Sequence, residues 1–208
     1  MKVLLINGSP RIKGCTYTAL SIVEESLKEE GIETEIFHIG TKPIRGCVEC
    51  KACWDRGQCV FEDDILKKLY PKVADADGFV FGSPVYFASA NGSMIALMDR
   101  LFYTAKDLWL KPATCVVAAR RGGTTAALDV LNKYPSNRNM PIISSQYWNM
   151  VHGNEPEEVM KDFEGLQTMR TLGKNMAWIL KCIKAGENMG ISKPQIEEKI
   201  KTNFIPSE

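Results

Sequence analysis

Short apolar runs alternate along the chain with stretches whose apolar residues recur every three or four positions. Residues 3–6 are a compact apolar run ended by "NGSP", the pattern of a strand buried on both faces. In "TYTALSIVEESLKEE" (16–30), Leu20, Val23 and Leu27 form a helical stripe that Gly31 closes. "IETEIFHI" (32–39) alternates apolar and polar residues for most of its length and predicts a strand nearer an edge. After a cysteine-rich stretch, "DDILKKLYPKVADA" (63–76) predicts a short helix capped by Asp63 or Asp64. A third buried strand is predicted at 78–81, broken by Gly82 and Pro84. A helix follows over 94–103, then a fourth strand "ATCVVAA" (113–119), a helix "TTAALDVLNKY" (124–134) and a fifth strand "MPIISSQYW" (140–148). Residues 155–184 read mostly as one long helix, with Gly165 and Gly173 as compositional interruptions.

This alternation predicts an α/β protein: parallel strands joined by right-handed crossovers, with helices on both faces. Five strands suit a three-layer αβα sandwich of flavodoxin-like order 2-1-3-4-5. A single domain over 1–208 is expected, with 40–61 as a cysteine-rich insertion and 155–185 as a C-terminal helical extension. In such sheets ligands bind beyond the carboxyl ends of the strands, near the switch in strand order.

Composition narrows the classes without choosing among them. A formal net charge of +1 gives no global pull toward nucleic acid or membrane, and no basic stripe with interleaved aromatics occurs. The N-terminal apolar stretch is too short for a signal peptide, and no run approaches the ~20 residues of a membrane span. Seven cysteines, an odd number without an export signal, predict a reducing cytoplasm and argue against a disulfide framework. With only His38 and His152, no Ser-His-Asp or Cys-His arrangement is defensible. His152, in "YWNMVHG", has two readings: a place near the ligand rim with Trp148 and Asn149, or the structural hydrogen bond that is the more ordinary role at a strand end.

Three glycine-containing loops fall on the expected binding rim. "GSPRIKGCT" (8–16) joins a buried strand to a helix N-terminus, where free N–H groups and the dipole favour an anion. Ser9, Thr16 and Thr18 add hydroxyls and Arg11 a charged fork. It is neither a Walker loop nor the Gly-x-Gly-x-x-Gly fingerprint, and "FHIG" lacks the acidic residue that holds an adenosine ribose. A mononucleotide phosphate suits it better; a plain turn capped by serine and threonine is the alternative. "GSPVYFASANG" (82–92) sets Pro84, Val85, Tyr86 and Phe87 where a flat apolar ligand can stack, unless the aromatics are core or interface residues. "ARRGGTT" (119–125) offers N–H groups at Gly122 and Gly123 beside Arg120 and Arg121, suited to negative charge developing on a ligand. Solvated arginines on a turn are the alternative. Together the loops favour FMN, phosphate on the first and ring between the other two.

The segment "CVECKACWDRGQC" spaces Cys47, Cys50, Cys53 and Cys59 as C-x2-C-x2-C-x5-C. Three ligands at this spacing can wrap one face of a cubane and a fourth can complete it. The ferredoxin run has x3 before its last cysteine and then proline, so this is a different motif. A four-cysteine zinc site usually draws two separated C-x2-C pairs. Thiols in a cluster-free loop are the third reading. Cys15, Cys115 and Cys182 read as buried or incidental.

"GSPR" with Thr16, "GSPVYF" followed by "MDRLF", and the cysteine segment between strand two and the next helix resemble the NAD(P)H-dependent FMN reductase superfamily, and within it the iron–sulfur flavoproteins. The resemblance spans roughly residues 1–150. It implies that Ser9, Arg11 and Thr16 contact the FMN phosphate and that Pro84, Val85, Tyr86 and Phe87 flank the ring. Gly122 and Gly123 would lie near its pyrimidine edge. Cys15 departs from the family's frequent asparagine, which a backbone contact survives and an amide side-chain contact does not. The resemblance makes a [4Fe–4S] cluster on the four cysteines the leading reading, and implies a homodimer or homotetramer. The expected function is electron transfer from NAD(P)H through FMN to a quinone-like or other small acceptor. No side-chain nucleophile is required, so no catalytic side chain is nominated. The rivals are an electron carrier fed by ferredoxin without small-molecule turnover, and a protein-binding module that has lost its flavin.

Overall fold

The computed structural model describes residues 1–61, 65–198 and 200. A parallel sheet forms from β1 (Lys2–Asn7), β2 (Glu33–His38), β3 (Gly78–Tyr86), β5 (Ala113–Ala119) and β6 (Met150–His152) in the order β2-β1-β3-β5-β6. A two-residue strand, β4 (Ser89–Ala90), folds back antiparallel on the end of β3. Without that hairpin the order is the expected flavodoxin-like 2-1-3-4-5.

The side-chain period of two divides each strand between two cores. Leu4 and Ile6 of β1, with Phe79 and Phe81 of β3, face α3 (Ile65–Asp75), α4 (Gly92–Thr104) and α5 (Thr124–Asn137). Val3 and Leu5, with Val80, face α1 (Cys15–Glu29) and α7 (Phe163–Asn188). The five of those β1 and β3 residues other than the phenylalanines are aliphatic and fully buried, each contributing about 1.5–3 kcal/mol. β2 is the edge strand that its alternation predicts, with mostly half-buried residues. Gly173 of α7 lies against α1 so closely that an added Cβ would sit 2.7 Å from Ser26 Cβ and 2.8 Å from the Val23 carbonyl.

Three expectations need correction. β3 does not break at Gly82 and Pro84 but runs on to Tyr86, because its ladder with β5 continues to Pro84 opposite Ala118 and the Pro84 carbonyl accepts from Asn91 N–H. The fifth strand is not 140–148. That segment pairs with β5 only in the isolated bridge of Ile142 opposite Ala113, swings out over 144–148 and rejoins the sheet as β6. The excursion is held by the Ser145 hydroxyl and by Asn149, whose amide donates to Thr114 Oγ1 at 2.8 Å. The tail is two helices, α6 (Pro156–Val159) and α7, because Asp162 caps the second: its carboxylate accepts from Gly165 N–H and from His152 N–H. Asp63 and Asp64 lie outside the described residues. Among the described residues no helix is long and apolar enough to cross a membrane.

Candidate functional site

The first loop is tied down from three sides. Gly8 N–H donates to the Gly82 carbonyl at 2.8 Å, and a Cβ on Gly8 would lie 2.7 Å from that oxygen, so only glycine lets β1 and β3 meet there. Asn91 Nδ2 donates to the Gly8 carbonyl, Asn7 Oδ1 accepts from Ser9 N–H, and His38 Nε2 lies 2.8 Å from the Ser9 carbonyl. Ser9 Oγ accepts from Arg11 N–H. α1 then begins at the Gly14 N-cap with no side-chain cap and no acidic residue in its first turn. Its first-turn N–H donors therefore face the loop without a cap or an acidic side chain from that turn itself.

Thr16 sits in that first turn, 1% exposed, and its hydroxyl has no hydrogen-bond partner among the described residues. Leaving a buried hydroxyl unpaired costs about 1–3 kcal/mol. An anion at the α1 N-terminus would supply the missing acceptor. Cys15 turns away from the loop: its thiol reaches the Gly153 carbonyl at 3.5 Å, and burial pushes its pKa up. Only its backbone N–H remains for a ligand. Arg11 lies against Glu155 at 3.3 Å in an exposed pair rather than over the loop.

The second and third loops meet each other across the rim. Gly123 holds φ +89° as the N-cap of α5, and an added Cβ there would lie 2.8 Å from Val85 Cγ1. Tyr86 and Phe87 are not core residues: Tyr86 is half exposed and Phe87 wholly exposed at the hairpin tip, with φ +60°. A left-handed aromatic residue is strained and marks a loop held in place by its surroundings. Pro84 and Val85 are half-buried beneath them, and Arg120, Arg121 and Gly122 are exposed alongside. Among the described residues nothing lies within 4 Å of a Cβ added at Gly122.

The four cysteines share one wall. Cys47, Cys50, Cys53 and Cys59 all line a cavity of about 30 Å³, closed below by Phe61, Arg100 and Thr104. Glu49 and Lys51, the residues between the first three thiols, take φ of +52° and +60°, and Cys53 begins the one-turn helix α2 (Cys53–Arg56). Among the described residues no three metal-binding side chains are gathered within holding distance. The donor set suits iron or zinc, both thiolate-seeking. Arg100, 1% exposed, donates from Nε and Nη2 to Cys59 Sγ at 3.3 and 3.2 Å and from Nη1 to the Arg45 carbonyl. Tyr70 Oη accepts from Cys59 N–H. Burial raises the Cys53 thiol pKa, with smaller upward contributions from the other three sulfurs.

Comparison with known proteins then decides the family. The profile of the NADPH-dependent FMN reductases matches residues 1–155. The chain belongs to the NADPH-dependent FMN reductase family. It is 32% identical over 193 residues to an iron-sulfur flavoprotein of Methanocaldococcus jannaschii, covering 88% of this chain and 100% of that protein. Among solved structures, RosB with a bound 8-demethyl-8-formylriboflavin-5'-phosphate intermediate superposes with TM-score 0.71 at 14% identity, over 98% of this chain and 92% of that one. A WrbA-like flavodoxin from Agrobacterium tumefaciens gives 0.61 at 14% identity, over 87% and 97% of the two chains. At that identity the likeness is one of fold.

As an NADPH-dependent FMN reductase family member, the chain is an NAD(P)H-dependent oxidoreductase whose fold serves FMN. The three rim loops carry the features such a cofactor needs: an uncapped helix start, a buried hydroxyl without partner, and exposed aromatics over a glycine-bounded gap. Sequence reasoning missed the residues that orient them. Asn91 was legible as an N-cap ahead of α4, since its side chain accepts from Ser93 N–H. Asn7, His38 and Arg100 gave no local signal. His152 donates its backbone N–H to Asp162, and its ring Nδ1 lies 3.8 Å from the same carboxylate.

Proposed function

We propose that the rim formed by the three loops binds FMN, and that the protein passes electrons from NAD(P)H to a small quinone-like acceptor. The observation that carries the reading is the buried, unpartnered Thr16 hydroxyl at the uncapped start of α1. Ser9, the backbone N–H groups of the first α1 turn and Thr16 would hold the phosphate, with Arg11 added once it leaves Glu155. Pro84, Val85, Tyr86 and Phe87 would flank the ring, and the N–H groups at Gly122 and Gly123, beside Arg120, would face charge building on its pyrimidine edge. Bound there, FMN supplies the redox chemistry, accepting hydride and releasing electrons. The chain itself orients the ring and stabilises its charge; no side chain acts as nucleophile.

The shared cavity and the iron-sulfur flavoprotein relative support a [4Fe–4S] cluster on Cys47, Cys50, Cys53 and Cys59. That favours a second reading, an electron carrier fed by ferredoxin. The test is protein purified without oxygen, assayed for FMN, iron and sulfide, then reduced by NADPH or by reduced ferredoxin. Flavin with fast NADPH reduction supports the oxidoreductase. About four irons and sulfides per chain with faster reduction by ferredoxin supports the carrier. Absence of flavin, with no uptake on addition, sinks both.

A further inference from the structure

The cysteine cavity has an outer side. A larger groove of about 740 Å³ lies against it between α2 and the C-terminal halves of α4 and α5. Cys53, Trp54 and Tyr103 line both spaces, so these three residues form the wall between them. The volume falls in the small-molecule range. Aromatic rings of Trp54, Tyr103 and Tyr134 form part of its walls.

The charge of the groove is unbalanced. Lys106, Lys133 and Arg138 line it, and none of the three makes an ion pair among the described residues. Arg138 is half-buried at the end of α5. Asp99 is the groove's carboxylate, and its Oδ1 already accepts from Tyr134 Oη at 2.5 Å. Flat walls, three free cations and an engaged carboxylate select for a planar molecule carrying negative charge.

We propose that this groove binds a flat aromatic anion of the quinone sulfonate or carboxylate class, placed against Cys53 on the outer wall of the cysteine cavity. Such a quinone takes up two electrons and two protons to become the hydroquinone. The electrons originate in NAD(P)H as hydride, whose proton is released to water, and the quinone draws its two protons from water, a net uptake of one. The electron route rests on the function proposed above; the binding site does not.

The probe is anthraquinone-2,6-disulfonate, titrated into the holoprotein with tryptophan fluorescence as the readout. The proposal expects saturable quenching that weakens as salt is raised. It expects about tenfold weaker binding in Lys106→Glu/Lys133→Glu, two exposed positions, at unchanged FMN content. Arg138→Gln is the second variant and should weaken binding in the same direction. Tyr86→Ala/Phe87→Ala, on the flavin rim, should leave the affinity alone. Equal affinity in the groove variants, or loss only in the rim variant, overturns the site. Intact groove-dependent binding without NADPH-driven reduction of the probe keeps the site and sinks the electron route alone.

Discussion

Thr16→Val separates the cost of an empty phosphate site from its benefit, because the two effects have opposite signs. Valine matches threonine in shape, so the substitution removes the hydroxyl and leaves the packing of that turn beside Gly82 and Leu20 almost unchanged. In flavin-free protein the buried hydroxyl is unpaired, at a cost of about 1–3 kcal/mol. Deleting it should stabilise that form by about 1 kcal/mol, a rise in Tm of roughly 2–4 °C for a chain of this size. With FMN bound, the same hydroxyl would donate to a charged phosphate, a bond worth about 1.5–3 kcal/mol. The variant should therefore bind FMN roughly ten- to hundredfold more weakly. Calorimetric titration of FMN and thermal melts of the flavin-free protein measure both. Thr16→Ser, which keeps the donor, should restore affinity. An unchanged FMN Kd in Thr16→Val refutes the phosphate contact, and a lowered flavin-free Tm refutes the claim that the hydroxyl is unpaired.

Gly173→Ala should destabilise by about 1 kcal/mol or more, since the added carbon meets Ser26 Cβ and the Val23 carbonyl and overpacking outweighs the ~1 kcal/mol gain in helix propensity. Gly186→Ala in the same helix, where nothing lies nearer than 3.7 Å, should gain stability; urea midpoints report both. Arg100→Met removes both donors to Cys59 and should lower metal affinity at the cysteine site by roughly 10- to 100-fold without changing FMN content, read by chelator competition. Lys72 first, and Lys2 after it, hold the Glu35 carboxyl below its usual range. Its contribution is therefore full above the unfolded value and lost as pH falls through the lower folded one, so the stability gap between wild type and Glu35→Gln should stay open at neutral pH and close as pH falls below the ordinary carboxylate value. A gap that widens in acid would contradict that ordering.

What the sequence revealed and what it hid follow from the range of the interactions. The strand order and the three rim loops were legible, because buried runs and the glycine turns after them are local patterns and the rim rule places ligands at their ends. The extension of β3 past Pro84 was hidden, since it depends on β5 and on Asn91 rather than on its own residues. The displaced last strand was hidden for the same reason: Thr114, Ile143 and Asn149 form a network across some thirty residues, with separations of 29 and 35. Thr16 could be named as a candidate from its position, but only packing shows its hydroxyl to be buried and unpaired. Arg100 was visible in "MDRLF" without a role. Its target is 41 residues upstream, in a loop whose spacing says nothing about what lies beneath it.

α4 explains why two chemically different sites are built into one small chain. At its start Asn91 caps the helix through Ser93 N–H and donates to the Gly8 carbonyl, fixing the first rim loop. Further along, Arg100 donates to Cys59 and props the cysteine cavity. From Gly92 to Arg100 is about 12 Å at the rise of an α-helix. The intervening Met94, Leu97 and Met98 are fully buried, so the helix cannot slide on the sheet without opening the core. The helix therefore sets the flavin rim and the cysteine cavity at a fixed separation. A substitution that shifts α4 by even one residue would loosen the Gly8 contact and the Cys59 contact together. Loss of flavin and loss of metal should then travel as one phenotype in α4 core variants, such as Leu97→Ala, and separately in Thr16→Val and Arg100→Met.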